Sequence, residues 1–208
     1  MTASTNPWMS HPDDNEVKVL RVPSQAQPES EPECLPYSMW MVLHYVAEWH
    51  PVPWVRNETQ KVSIADIEAR LTIRDAGWIP DDDELESLSE KTAPLRFRHE
   101  TWETSPPTTV FFDLIEDKLD KNLPVIPIID VRALKNGIPN QGPVHAVVVT
   151  GLEGTSITIN DPWGHMHEVH NKNKFVDAWD TRPINQMIIA DISEQTTIQQ
   201  SITQEDQE

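Results

Sequence analysis

Three residues in the chain have types and surroundings suited to nucleophilic chemistry: Cys34, His145 and Asp161. Cys34 stands immediately before a long run of helical periodicity. The unpaired N–H groups and positive dipole end of a helix stabilise a thiolate there and lower a thiol's pKa. A lone cysteine is otherwise an ordinary small hydrophobe, so the placement matters only if a base is within reach. His145, in GPVHAVVVTG, opens an apolar strand, and Asp161, in TITINDPWG, closes the next one sixteen residues later. A short turn at Gly151–Gly154 joins the two as a hairpin. Antiparallel pairing then sets the start of one strand beside the end of the other, which is the geometry of a base and the carboxylate that orients it. Taken singly, a strand histidine is a satisfied core or edge residue, and an Asp before Pro is a turn former; the joint arrangement is what favours chemistry. Gln27, seven residues before Cys34 in a Pro-containing loop, is placed for its amide to join the Cys34 N–H in holding an oxyanion. Gln25 competes for that role.

The elements that must position these residues follow from periodicity and punctuation. Val17–Val22 reads as a short strand and Pro23–Glu33 as a loop. A helix over Leu35–Trp49 places Leu35, Met39, Val42, Leu43, Val46 and Trp49 on one stripe, with Pro36 in its first turn and Pro51 and Pro53 ending it. Ser63–Leu71 is a shorter helix with Ser63 and Asp66 spaced as a capping box. Asp81–Lys91 is another, with acids gathered in its first turn, and Thr109–Lys121 is an amphipathic one. Strands are expected over Val125–Asp130, Val144–Gly151, Ser156–Asn160 and Ile184–Ala190, with a helix at Lys174–Trp179. The fold class is therefore α+β, helices in front and a sheet behind. The domain spans residues 16–192, between a loose arm (1–15) and a disordered acidic, Gln-rich tail (193–208).

Together these segments resemble the papain-like cysteine peptidases, and in style the C39-like branch. VPSQAQPESEPEC before a buried helix is similar to their Gln-then-Cys start; GPVHAVVVTG followed by NDPWG is similar to their His strand and Asx-x-Trp-Gly segment. The C39-like branch has Asp as third member and a DP dipeptide after the second strand. The resemblance runs from about Val22 to Ala190, although residues 50–123 carry no motif. It implies a papain-like fold, with the Cys helix packed on a C-terminal antiparallel sheet. It also implies a cysteine peptidase or amidase acting through a thioacyl-enzyme, with Cys34 as nucleophile, His145 as base and later acid, Asp161 as orienter and Gln27 as oxyanion donor. Trp163 would shield the His–Asp pair. Leu35 stands where the family has Gly and would narrow the groove, and the Gln27–Cys34 spacing is one residue longer than usual. The loop Arg132–Pro143, with Gln141 and Gly142 near its end, would border the site and touch substrate. A transglutaminase-like acyl transferase, or an inactive peptide-binding module of the same fold, are the alternative functions.

Composition narrows the partners. Among 208 residues, 34 are acidic and 16 basic, a formal net charge of −18. Such a surface repels nucleic acid and anionic membranes; the partner that the resemblance implies is a peptide or protein substrate. It suits a salt-rich cytosol, where screening relieves the self-repulsion, and so predicts a halophilic source. One cysteine excludes an internal disulfide and a Cys-based zinc site. His165, His167 and His170 in HMHEVH lack a further ligand at metal spacing, so neither metal nor cofactor is expected. The start, MTASTNPWMSHPDDNE, has no basic or apolar signal region, and PVIPII and AVVV are too short to span a bilayer. A cytoplasmic protein is expected.

Overall fold

The computed structural model describes residues 19–28, 33–51, 53, 55–56, 62–74, 77–78, 80–138, 144–180 and 185–193. The N-terminal arm, the tail beyond Ser193, Val17 and Lys18 of the strand expected at Val17–Val22, and Gln141 and Gly142 lie outside them. Of that strand only a bridge is seen: Val19 pairs with Gly151, and the Leu20 N–H donates to the Thr150 carbonyl at 2.7 Å.

Six helices and nine strands occur in the described residues: α1 Cys34–Trp49, α2 Ile64–Glu68, β1 Ile73–Arg74, β2 Gly77–Trp78, α3 Asp82–Thr92, β3 Leu95–Trp102, α4 Thr108–Asp120, β4 Val125–Asp130, α5 Val131–Asn136, β5 Val144–Ala146, β6 Val148–Glu153, β7 Ser156–Asp161, β8 His165–Asn171, α6 Lys172–Asp180 and β9 Asn185–Ile192. The main sheet is antiparallel, in the order β3-β9-β4-β6-β7-β8, with β5 also on β4. The α+β class holds, but the strictly helices-first order does not, because β3 intervenes between α3 and α4. Only Leu95 and Phe97 give β3 an apolar alternation; the same face continues as His99 and Thr101, so period-2 patterning is lost halfway along the strand.

The chain's breaks have local causes. Ser63 and Asp81 cap α2 and α3, each in a reciprocal capping box with the residue three positions on. β5 and β6 form a single sequence run interrupted at Val147. The Val147 N–H donates to the Pro127 carbonyl, but Pro127 has no N–H to return, so the ladder along β4 breaks there. The turn between β6 and β7 falls at Gly154, whose φ of 48° suits glycine.

α1 is buried almost all round. Leu35, Met39, Val42, Leu43 and Val46 are inaccessible, as the stripe predicts, and so are Met41 and nearly Tyr45, whereas Trp49 is 46% exposed. The helix touches α2 on one side and β4, β5 and β6 on the other, so a single stripe understates its burial. A second centre of packing joins α4 to α6. The Phe111 ring lies 4.4 Å from Trp179, which meets Trp102 edge-on at 5.3 Å. Burying a side chain of this size contributes about 2–3 kcal/mol.

One ion cluster ties α4 to the sheet. Lys118, nearly buried, donates to Asp191 Oδ1, and Arg98 Nε donates to Asp191 Oδ2 at 2.9 Å. Burial pushes the Asp191 carboxyl up, but these two cations outweigh it and hold it below the usual carboxylate range. A depressed carboxylate stabilises the fold above its unfolded pKa, and that stability is lost as pH falls through the folded value. Asp191→Ala strands the Lys118 ammonium and is expected to cost about 2 kcal/mol at pH 7 in urea unfolding. The difference from wild type should shrink as pH falls below the ordinary carboxylate range; a difference independent of pH would refute the assignment.

Candidate active site

Cys34 is the first residue of α1 and lies just inside the surface, 9% exposed. The helix's N-cap residue, Glu33, makes no side-chain cap, and the first turn holds no acid. The N-terminal N–H groups therefore keep their positive field at the thiol. One turn further along the same face, the buried Ser38 hydroxyl donates to the Ala146 carbonyl at 3.2 Å. Ala146 follows His145, so this bond docks the Cys34 helix on the strand that carries His145.

His145 pairs with Ile129 in the β4–β5 ladder and is buried, as is Asp161 at the end of β7. The hairpin brings them together: His145 Nε2 donates to Asp161 Oδ1 at 2.6 Å. With Nε2 engaged by Asp161, Nδ1 is the nitrogen left for the Cys34 thiol, to which the imidazole is also hydrogen-bonded. Burial is the largest single influence on His145 and opposes its charge. Hydrogen bonds and charges of Asp161 and Cys34 outweigh it and raise the imidazole to about 9. Burial likewise pushes Asp161 up, but His145, the Trp163 N–H and Lys135 hold it below its ordinary value. An imidazole held this way can carry a proton taken from the thiol.

Further side chains complete the surroundings. The Trp163 N–H donates to Asp161 Oδ1 at 2.8 Å, and its indole lies 4.2 Å from the imidazole, tilted by 31° and 42% exposed. It covers one face of the His145 ring. Gln27 reaches the same corner through its backbone, whose N–H donates to the Pro162 carbonyl at 2.7 Å. The Gln25 amide turns instead to the neighbouring Ala26 carbonyl. Buried Asn160 holds the loop: its Nδ2 donates to the Val22 carbonyl at 2.8 Å, and its Oδ1 accepts from the His167 N–H at 2.9 Å. Leu35 is fully buried in the core; the helix turns it inward, away from any surface a substrate could reach.

Arg132–Pro143 does not form a loop throughout. Its first half belongs to α5, capped by Asp130 Oδ1 on the Arg132 and Ala133 N–H groups and ended by Gly137 in the left-handed region. This helix brings Lys135 to within 3.6 Å of Asp161 Oδ2 and over the Trp163 ring at 5.5 Å. The legible signals were the Asp130 cap and the Asn136–Gly137 stop. Of the β8 histidines, His165 and His170 both face Glu168, at 3.5 and 3.2 Å, and no metal-holding cluster occurs among the described residues. Among those residues, too, no helix is long and apolar enough to cross a membrane.

Antiparallel sheet, buried Cys helix and paired His–Asp are the frame of a cysteine peptidase fold. Residues 19–183 match the model of the Peptidase_C39 like family, and the chain belongs to that family. No curated protein sequence matches it. Among solved structures, a protein described as a C39-like peptidase from Bacillus anthracis has a TM-score of 0.58 at 18% identity, covering 85% of this chain and 98% of its own. A double glycine motif protease from an AMS/PCAT transporter, in complex with its leader peptide, has a TM-score of 0.51 at 19% identity, covering 84% and 94%. These likenesses concern the fold.

The raised imidazole is open to direct measurement. Its ionic contacts stabilise the fold fully below about 6.5, and that stability is lost as pH rises through about 9. In an NMR titration, the His145 ring should titrate far above an ordinary histidine. Cys34→Ala and Asp161→Asn each remove one of the raising partners and should each lower the midpoint. A midpoint near 6.5 in all three proteins would refute the arrangement.

Proposed function

We propose that the chain is a cysteine peptidase or amidase in which Cys34, His145 and Asp161 act as a catalytic triad. The observation that carries this reading is the buried imidazole with Asp161 Oδ1 at 2.6 Å on Nε2 and the Cys34 thiol as its other partner. His145 takes the thiol proton, and the thiolate attacks a peptide or amide carbonyl, forming a C–S bond. The oxyanion is received by the Cys34 N–H at the helix start, with the Gln27 amide as second donor. His145 then delivers its proton to the departing amine as the C–N bond breaks, leaving a thioester. Water, deprotonated by His145, attacks that thioester, and the acid product leaves with the thiol restored.

A peptide is the favoured substrate class. A protease of similar fold holds a leader peptide, and a chain of net charge −18 repels polyanions. Trp163, stacked on the imidazole and half exposed, offers an apolar surface to the substrate beside the reacting atoms. Water is the expected acceptor.

The test is the rate of Cys34 alkylation by iodoacetamide as a function of pH, measured on the native protein. A thiolate paired with an imidazolium reacts well below pH 7, and His145→Ala should cut the rate at pH 6 by about tenfold or more. Hydrolysis of a peptide library should vanish in Cys34→Ala. A cysteine that stays inert until the protein is denatured would sink the reading.

A further inference from the structure

We propose that Lys135 is a positioning residue of this site: its ammonium holds the second oxygen of the Asp161 carboxylate, which keeps Oδ1 turned onto His145, and braces Trp163 over the imidazole. The inference rests on the triad reading and adds to it a fourth side chain, from a helix that carries no motif of the family.

The geometry supplies the argument. Asp161 is buried, and its Oδ1 accepts two bonds, from His145 Nε2 at 2.6 Å and the Trp163 N–H at 2.8 Å. Oδ2 faces the Lys135 ammonium at 3.6 Å, an ion pair rather than a hydrogen bond. Rotation of a carboxylate exchanges its oxygens, and a cation on one of them resists that exchange. The same ammonium lies 5.5 Å from the Trp163 ring centre, within cation–π range. A single charge therefore touches both groups that flank the imidazole.

The fold delivers Lys135 there by the same ladder that delivers His145. Asp130, the cap of α5, pairs with Val144, and Ile129 with His145. Lys135 then falls in the last turn of α5, where the dipole favours a cation. Its side chain is about one-third exposed (35%), so the ammonium can be replaced without opening the core.

The charged groups around this pair come from several elements. His145 (β5) and, through it, Cys34 (α1) face Asp161, and Lys135 (α5) faces its far oxygen. His165 pairs with Asp161 across β7 and β8, but its ring is turned to Glu168. Beyond Lys135, a cavity of about 610 Å³ is walled on the α6 side by Lys174, Asp177 and Asp180. Asp180 is engaged by Asn185 Nδ2 at 3.0 Å and by the Ser105 hydroxyl. As pH falls, Asp161 must stay ionised for His145 to keep its orientation and charge. Lys135 favours the ionised carboxylate, so its loss moves protonation of the site to higher pH.

The test compares Lys135→Met, which keeps the stem and removes the charge, with Lys135→Arg, which keeps the charge. Iodoacetamide alkylation of Cys34 is followed against pH in both, alongside wild type and His145→Ala. In Lys135→Met the acid limb should rise by about 0.5–1 pH unit. That displacement should narrow as salt is raised from about 0.1 to about 1 M, because the ammonium is open to screening. Lys135→Arg should restore the wild-type limb. An unmoved limb in Lys135→Met, a displacement indifferent to salt, or an arginine variant that behaves like the methionine one would overturn the proposal and leave the triad reading standing. Absence of low-pH reactivity in wild type, or its survival in His145→Ala, would instead overturn the triad reading and this proposal with it.

Discussion

Burial of an imidazole beside a carboxylate is viable only because each offsets the other's desolvation. Taken alone, either ion would neutralise in a site this inaccessible. Together they form a 2.6 Å charge-assisted hydrogen bond, short even for its class. The Trp163 N–H and Lys135 support the carboxylate, and the Cys34 thiol supports the ring. Removing any of these shifts the balance toward burial, the largest single influence on both groups. The surrounding sheet can be understood as the device that keeps these partners in register.

One register runs through the interruption at Val147: Val125 faces Val149 and Ile128 faces Ala146 along β4, so His145 meets Ile129 in step with β6. Ser38 anchors α1 on this segment through Ala146. Asn160 ties the start of the Gln27 loop to the neighbouring strand. Cys34, His145, Asp161 and the Gln27 loop thus come from separate stretches of chain but meet through bonds to buried backbone.

What the sequence disclosed and what it hid follow from the range of each interaction. The Cys34 helix start, the Ser63 capping box and the His145–Asp161 hairpin are short-range features, and local pattern shows them. β3 was invisible because its partner β9 lies almost a hundred residues away and its inner face turns polar after Phe97. The break at Val147 depends on a proline in another strand. Trp49 joined the apolar stripe by spacing, yet sits at the helix end, where the wall of neighbours stops. Leu35 stood beside the nucleophile in sequence but a helix turns adjacent residues about 100° apart, which sends it into the core. Lys135 was missed for the converse reason: ten residues from His145 and unmarked by any motif, it is placed by a helix whose Gly137 stop looked like part of a loop.

The start of α1 shows how a site can require a local preference to be set aside. Four helices among the described residues, α2, α3, α5 and α6, begin with a side-chain cap from Ser63, Asp81, Asp130 or Asn171, a contact worth about 1 kcal/mol. α1 does without one, although Glu33 occupies its N-cap position, and no acid enters its first turn. α4, which begins after Pro107, also lacks a side-chain cap, so the omission is not by itself a mark of chemistry. At α1 it has a consequence that α4 does not share, because a thiol sits in the first turn. A carboxylate folded onto those N–H groups would cancel the field that favours a thiolate. It would also occupy the donors that an oxyanion needs. An uncapped start therefore leaves the end of α1 less stable and its N–H groups available, and those groups face the one position where negative charge must develop twice in the proposed reaction.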